Sequence, residues 1–164
     1  DLLGRKMGMK KGRYFMTLLE EVQKTIGQAR EYPELEELAA GVETAVNRLG
    51  EVALGLGQTA MSPKVLTAFT LAKPFLDVTG EVIMAWMHLW RALAAQPGLE
   101  KLLGGLDDAA RAKKLAKNKN AAFYDGQIKT ARYFIRTLLP EAIGKMDAIA
   151  AVDDTVMAMQ VTSF

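Results

Sequence analysis

Residues 34–57 read ELEELAAGVETAVNRLGEVALGLG, and this stretch decides the fold. Its apolar side chains recur at alternating three- and four-residue steps, the spacing that places one stripe along an α-helix. Tyr32-Pro33 precede the stretch, and proline suits the first turn of a helix. The pattern predicts a long helix that packs in a bundle. The members of the stripe are Leu35, Leu38, Val42, Ala45, Leu49, Val52 and Leu56.

The same periodicity predicts helices on both sides of this stretch. A first helix is expected over about residues 13–30. A third is expected to start at Ser62-Pro63, a hydroxyl cap followed by proline, and to run to about Gln96. Pro74 should kink or break it near residues 72–73, because an interior proline removes a backbone donor. Residues 97–106 are expected to form a Gly-rich loop.

A fourth helix is expected from Asp107-Asp108, which can cap it, to about Leu139. Pro140 should bend or end this helix, and a last short helix capped by Asp153 or Asp154 should run to the end. No run alternates apolar and polar residues long enough to predict a sheet. We therefore expect an all-α fold, an up-down four-helix bundle with kinks near Pro74 and Pro140. The expected stripe of the fourth helix is Tyr124, Ile128, Ala131, Ile135 and Leu138, widened by Phe123 and Phe134.

Composition limits the chemistry that this chain can perform. Its 164 residues, half of them hydrophobic, suffice for one domain with a packed core. The absence of cysteine excludes disulfides, a thiolate zinc site and a cysteine nucleophile. A di-iron bundle needs Glu-x-x-His twice, but His88 is the only histidine. The pairs Glu20-Glu21 and Glu36-Glu37 diverge by about 100° on a helix and cannot act as an acid/base couple. We predict no catalytic, cofactor-binding or metal-binding residue.

Charge and hydropathy argue against nucleic-acid and membrane functions. The net charge is only +2. The most apolar window, residues 82–95, is shorter than the about 18 residues of a membrane span. No signal peptide is recognised, and the first residue is Asp, so we expect a piece of a larger cytoplasmic protein. One basic cluster lacks interleaved aromatic residues and predicts a solvated face; it comprises Arg111, Lys113, Lys114, Lys117 and Lys119.

Two further features leave alternatives open. The stretch that holds Met84, Trp86, Met87 and Trp90 is expected to form bundle core rather than a partner groove. His88, within it, is expected to be a core or rim histidine rather than a catalytic one.

Three segments resemble a known family. Residues 1–12, DLLGRKMGMKKG, resemble the stretch just after the Tyr-Glu-Gly-Thr-type motif in a subgroup of bacterial acyl-CoA dehydrogenases. Residues 121–142, AAFYDGQIKTARYFIRTLLPEA, resemble the signature of the extra C-terminal domain of that subgroup, which includes methylmercaptopropionyl-CoA dehydrogenases. Residues 80–93, GEVIMAWMHLWRAL, are similar to its apolar third helix.

The resemblance implies that residues 1–12 connect a missing dehydrogenase core to a C-terminal helical bundle domain, residues 13–164. It implies a parent enzyme that uses FAD to remove a hydride and a proton from an acyl-CoA. The catalytic glutamate and the flavin-binding residues would precede Asp1, so this chain alone is expected to be inactive. The implied partners are its own core, further copies in a homo-oligomer and the acyl-CoA substrate of the parent.

Lys129, Arg132 and Arg136 fall at three- and four-residue steps and should line one charged face of the fourth helix. We expect this face to meet an acidic surface: the Glu-rich second helix, the enzyme core or a neighbouring subunit. Direct contact with CoA phosphates is the less favoured alternative. For the whole chain, the alternatives are a free-standing helical interaction module and a small enzyme in its own right, the latter disfavoured by the missing constellations.

Overall fold

Helices form every regular element of residues 1–163, the part of the chain that the structure, a computed structural model, describes. No β-strand occurs in that range, so the predicted all-α class is confirmed. In the described part of the chain, two π-helical turns and three 3₁₀ turns supplement eight α-helices. The α-helices are α1 (Arg13–Ala29), α2 (Glu36–Ala60), α3 (Val65–Thr70), α4 (Ala72–Leu103), α5 (Asp108–Lys117), α6 (Lys119–Tyr133), α7 (Leu139–Ala150) and α8 (Thr155–Ala158).

Helix α2 lies at the centre of the fold. All seven residues of its predicted stripe are buried, and Ala39, Val46 and Ala53 widen the buried face. The helix packs against α1, α3, α4 and α7. Burying each leucine or valine side chain of this face stabilises the fold by about 1.5–3 kcal/mol. The apolar spacing of residues 34–57 was therefore a correct guide to the core.

Helices α1 and α2 form an antiparallel hairpin. Gln23 Nε2 donates to Asn47 Oδ1 at 3.0 Å, and the Arg30 guanidinium lies 2.6 Å from Glu43 Oε2. Residue numbers rise on one helix as they fall on the other, which fixes the direction. The hydrogen bond from Arg30 to Glu43 and the attraction between them raise the pKa of Arg30.

Helix α4 runs antiparallel to α6 and α7. Near its start, Glu81 accepts a 2.8 Å hydrogen bond from Lys145 Nζ; further along, His88 lies against Phe134. The hydrogen bond to Glu81 raises the pKa of Lys145. Because α4 also contacts α1 and α2, it is the second central helix.

Helices α2 and α7 run in the same direction. Arg48 Nη2 lies 2.8 Å from Asp147 Oδ1, and Glu37 pairs at 2.9 Å with Arg136 in the turn that precedes α7. Eight α-helices occupy the described residues, so the predicted division into four is not confirmed.

The loop predicted for residues 97–106 is mostly wrong. Helix α4 continues through Pro97 and ends at Leu103. A methyl group at Gly98 would lie 2.6 Å from Tyr124 Cε2, so this glycine permits close packing of α4 on α6. The Pro-Gly pair that suggested a loop instead lies at a tight helix–helix contact.

The predicted third helix begins later than expected and is divided. Ser62 Oγ accepts from the backbone N–H of Lys64 at 3.1 Å within a turn, and α3 starts only at Val65. The break before α4 lies at Leu71, close to the predicted position. Pro74 is the third residue of α4, where its missing N–H costs no intrahelical bond, so it does not kink the helix interior.

The predicted fourth helix is interrupted at Asn118, a break that its apolar spacing does not predict. Asp107 does cap the start, accepting from the Ala110 N–H at 2.8 Å. Asn118 leaves the helical conformation (φ −114°, ψ 110°) and its side chain accepts from the Ala121 N–H at 3.0 Å. A second N-cap therefore separates α5 from α6.

A π-helical turn, Phe134–Leu138, joins α6 to α7 next to Pro140. Such a turn closes i→i+5 hydrogen bonds and changes the register of the buried side chains. Leu138 is therefore 39% exposed and Leu139 replaces it in the core at 1%. Phe123 is 61% exposed, so the prediction that it widens the core stripe is wrong.

The two ends of the described chain pack differently. Leu3 is buried in an N-terminal π-helical turn. Lys10 and Lys11 then take left-handed backbone angles, φ 50° and 60°, before Gly12 at φ 82°. At the other end the predicted last helix forms as α8, with Asp153 accepting from the Thr155 N–H at 2.7 Å, but it stops at Ala158 instead of continuing as predicted. Phe164, within the predicted domain 13–164, lies outside the described residues.

Candidate interaction surface

One exposed face of α6 and the π-helical turn collects the basic residues that the sequence singled out. A shallow depression of about 410 Å³ lies on it. Lys129, Arg132 and Arg136 share this face, as their spacing predicts. We call the five lining residues the α6 basic face: Lys129, Arg132, Tyr133, Arg136 and Thr137.

The three cations of the α6 basic face differ in their partners. Lys129 Nζ lies 2.6 Å from Asp125 Oδ2, one turn earlier on the same helix. Arg136 pairs with Glu37 of α2, so contact with the Glu-rich second helix occurs within the chain. Among residues 1–163, no carboxylate lies within 4.0 Å of the Arg132 side chain. Arg132 is thus the cation available to an external acidic group.

The shape of the α6 basic face suits another surface better than a small molecule. All five lining residues come from one continuous helical segment, Lys129–Thr137. Small-molecule sites are concave and bury about 70–90% of the ligand. A single helix cannot enclose a ligand in that way. The π-helical turn also exposes three successive residues, 136–138, which widens the open face.

Beneath this face, His88 and Phe134 form a contact between α4 and the π-helical turn. Their ring centroids lie 4.8 Å apart at an interplanar angle of 34°. Burial lowers the pKa of His88, and repulsion from the nearby Arg91 guanidinium lowers it further. His88 is a buried packing residue, in agreement with the sequence prediction.

The Trp- and Met-rich stretch of α4 points in two directions. Trp86 Nε1 donates to Thr25 Oγ1 of α1 at 2.8 Å and packs at the edge of the core. Trp90 stacks on Trp86, with centroids 6.2 Å apart, yet remains largely exposed, as does Met84. The prediction of bundle core therefore holds for only part of the stretch.

A second depression, of about 280 Å³, lies where α4 meets α6. Its rim carries Phe123, whose ring packs edge-on against Tyr124 with centroids 5.9 Å apart. Arg91 supplies the charge on the α4 side. This site was not predicted because Phe123 was assigned to the core; the polar residues Asn120 and Gln127, which share its helix face, were the available signal.

The other candidates from the sequence are dispersed. Helix α5, which carries most of the basic cluster, has no buried residue and packs only against α6 among the stronger helix contacts. Glu36 pairs with Arg30 at 3.4 Å, whereas Glu37 pairs with Arg136, so these adjacent carboxylates diverge as predicted. Within residues 1–163, no three potential ligands lie close enough to hold a metal ion. None of the helices described is both long and apolar enough to span a bilayer.

Most of the chain matches a known family of protein domains. A family model described as acetyl-CoA dehydrogenase C-terminal like matches residues 18–160. Because the match spans most of the chain, the chain belongs to this family of acyl-CoA dehydrogenase C-terminal domains. No curated protein matches the chain.

Acyl-CoA dehydrogenases normally use FAD, but neither depression of this domain encloses a ligand of that size. A dinucleotide of that size requires a cleft that encloses most of its surface. The depression on the α6 basic face is open and lined by one helix, and the one beside Phe123 is smaller. These two sites do not fit the flavin, and we assign no step of its chemistry to their residues.

Proposed function

We propose that this chain is the C-terminal structural domain of an FAD-dependent acyl-CoA dehydrogenase, from the subgroup with an extra helical domain. The family match over residues 18–160 is the observation that carries the proposal. In the parent, FAD would accept the hydride during α,β-dehydrogenation of an acyl-CoA. This domain would contribute packing, subunit contacts or cover for the acyl cleft. Residues 1–12 would be the connector, and the location would be cytoplasmic.

Within this proposal, the α6 basic face is a contact surface for an acidic region of the core or of a neighbouring subunit. Arg132, the one of its three cations with no carboxylate partner among residues 1–163, supports the assignment, since an exposed arginine is suited to bidentate contact with a carboxylate. Tyr133, 61% exposed beside it, adds an amphipathic side chain of the kind enriched at interfaces. Direct contact of this face with CoA phosphates is the competing assignment.

The natural reading frame and a truncation test the proposed function. A dehydrogenase core that ends shortly before Asp1 is expected; a start codon near Met7 or Met9 would instead favour a free-standing interaction module. The natural enzyme truncated after Gly12 is expected to lose subunit assembly, flavin retention or acyl-chain preference. A truncated enzyme that matches the full one in all three properties would refute a structural role.

Charge reversal tests the contact surface itself. Arg132→Glu in the full enzyme is expected to weaken assembly, measured by light scattering as a lower mass of the oligomer. Arg136→Glu should weaken it too, but it also breaks the pair with Glu37. Arg111→Glu on the exposed helix α5 is the matched control and should leave assembly intact. If the Arg132→Glu variant keeps both the oligomer mass and the activity of the natural enzyme, the proposed contact is excluded.

A further inference from the structure

Large apolar side chains are exposed where α3 meets α8. Leu66 and Phe69 on α3 are 61% and 49% exposed. Val156 and Met157 on α8 are exposed to a similar degree. We call the group the α3–α8 patch: Val65, Leu66, Phe69, Val156 and Met157. Clusters of exposed apolar side chains of this kind mark interaction sites on natural proteins.

The outward orientation of this patch is set by the packing of α3. Thr67 and Ala68 are buried against the bundle, so the residues on either side of them point away from it. Helix α8 lies against α3, and Lys64 Nζ pairs with Asp154 Oδ2 at 3.0 Å next to the start of both helices. The two short helices therefore present their apolar residues together.

The N-terminal segment reaches the same end of the molecule. Leu3 is buried, and the π-helical turn that contains it, Leu2–Lys6, packs on α4. A methyl group at Gly4 would lie 3.1 Å from Phe69 Cε1, so the backbone at residue 4 approaches the patch closely. A polypeptide that precedes Asp1 would thus join this domain beside the α3–α8 patch.

We propose that the α3–α8 patch docks against the dehydrogenase core of the same chain. This inference rests on the proposed function, which places that core before Asp1. A core tethered beside the patch has a high effective concentration there, so even a modest apolar surface suffices for docking. Docking removes the exposed leucine, valine and methionine side chains from water, which is the dominant favourable term in such contacts.

Trypsin cleavage of the connector in the full natural chain tests the docking. Arg5, Lys6, Lys10 and Lys11 are exposed cleavage sites between the core and the bundle. Docking should protect them, and the double variant Leu66→Gln/Met157→Gln should expose them. Removing two apolar side chains from an interface should speed cleavage about tenfold or more, equivalent to about 1.4 kcal/mol. Phe69 is left unchanged because it contacts the N-terminal segment directly.

The matched control is Leu54→Gln/Met84→Gln, which alters two side chains of similar exposure outside the patch. It should leave the cleavage rate unchanged. Equal cleavage rates in the patch variant and the natural chain would overturn the docking. A lower oligomer mass of the patch variant without faster cleavage would overturn it too, because the patch would then join two copies of the chain. If no dehydrogenase core precedes Asp1, the proposed function itself fails, which the reading frame shows independently.

Discussion

The indole N–H of Trp86 donates to the hydroxyl of Thr25, 61 residues earlier in the chain, at 2.8 Å. Thr25 in turn donates to the Glu21 carbonyl oxygen at 3.1 Å. These two consecutive hydrogen bonds form a polar link between α1 and the central helix α4, in a contact otherwise made by apolar packing. Thr25 is buried, so its hydroxyl has little access to water as a substitute.

Thr25→Val keeps the shape of the side chain but leaves the Trp86 N–H without its acceptor. We expect a loss of about 1 kcal/mol or more in the free energy of unfolding, measured by urea denaturation. Thr44→Val is the control, because Thr44 makes the same i−4 bond to Ala40 but is exposed. The control should change stability by less than about 0.5 kcal/mol. Equal losses in both variants would show that the indole contact is not stabilising.

Two glycines of α4 should respond oppositely to alanine. Gly98→Ala is expected to destabilise the fold by about 1–3 kcal/mol, because its methyl group would meet the Tyr124 ring. Gly80→Ala meets nothing within 4 Å and should stabilise by about 0.4–1 kcal/mol. Urea unfolding of both variants checks the pair. A stabilising Gly98→Ala would contradict the close approach of α4 and α6.

Removal of the Asn118 side chain should weaken α6 at its start. Asn118→Ala loses the bond to the Ala121 N–H, a cap worth about 1 kcal/mol. Asn118→Asp retains a capping oxygen and should preserve stability within a few tenths of that value. Amide exchange at residues 119–122 is the local readout. If Asn118→Ala exchanges no faster there than the natural chain, α5 and α6 do not depend on this cap.

The stability of the fold should fall as pH is lowered through the ordinary pKa of histidine. Burial lowers the pKa of His88 in the folded chain, so the unfolded chain binds its proton first. Stability is therefore fully present above the unfolded value of about 6.5 and declines below it. His88→Gln should remove this component from the pH dependence of the melting temperature. Parallel curves for variant and natural chain between about pH 5 and pH 8 would assign the decline to other groups.

The sequence predicted the elements that local patterns determine. The α2 stripe and the Asp107 cap follow from apolar spacing and from one side chain, and both occur. The course of α4 through Pro97 was not predictable, because it depends on Gly98 fitting the Tyr124 ring, a contact between helices distant in sequence.

The candidate site was predicted in part for a similar reason. Three basic residues at helical spacing are a local pattern, and Lys129, Arg132 and Arg136 do share one face. Which cation stays unpaired depends on α2, since Glu37 reaches Arg136. The exposure of Leu138 depends on the π-helical turn, whose wider hydrogen-bond ring carries no signal in apolar spacing.

The methionines of this domain lie at graded depths. Met146 is fully buried between α7 and its neighbours, whereas Met84 and Met157 lie on the surface of different helices. Peroxide converts a thioether to a sulfoxide only where it can reach the sulfur. The natural chain therefore carries internal chemical labels, and mass spectrometry of the oxidised protein would report, without any substitution, which of its faces the rest of the enzyme covers.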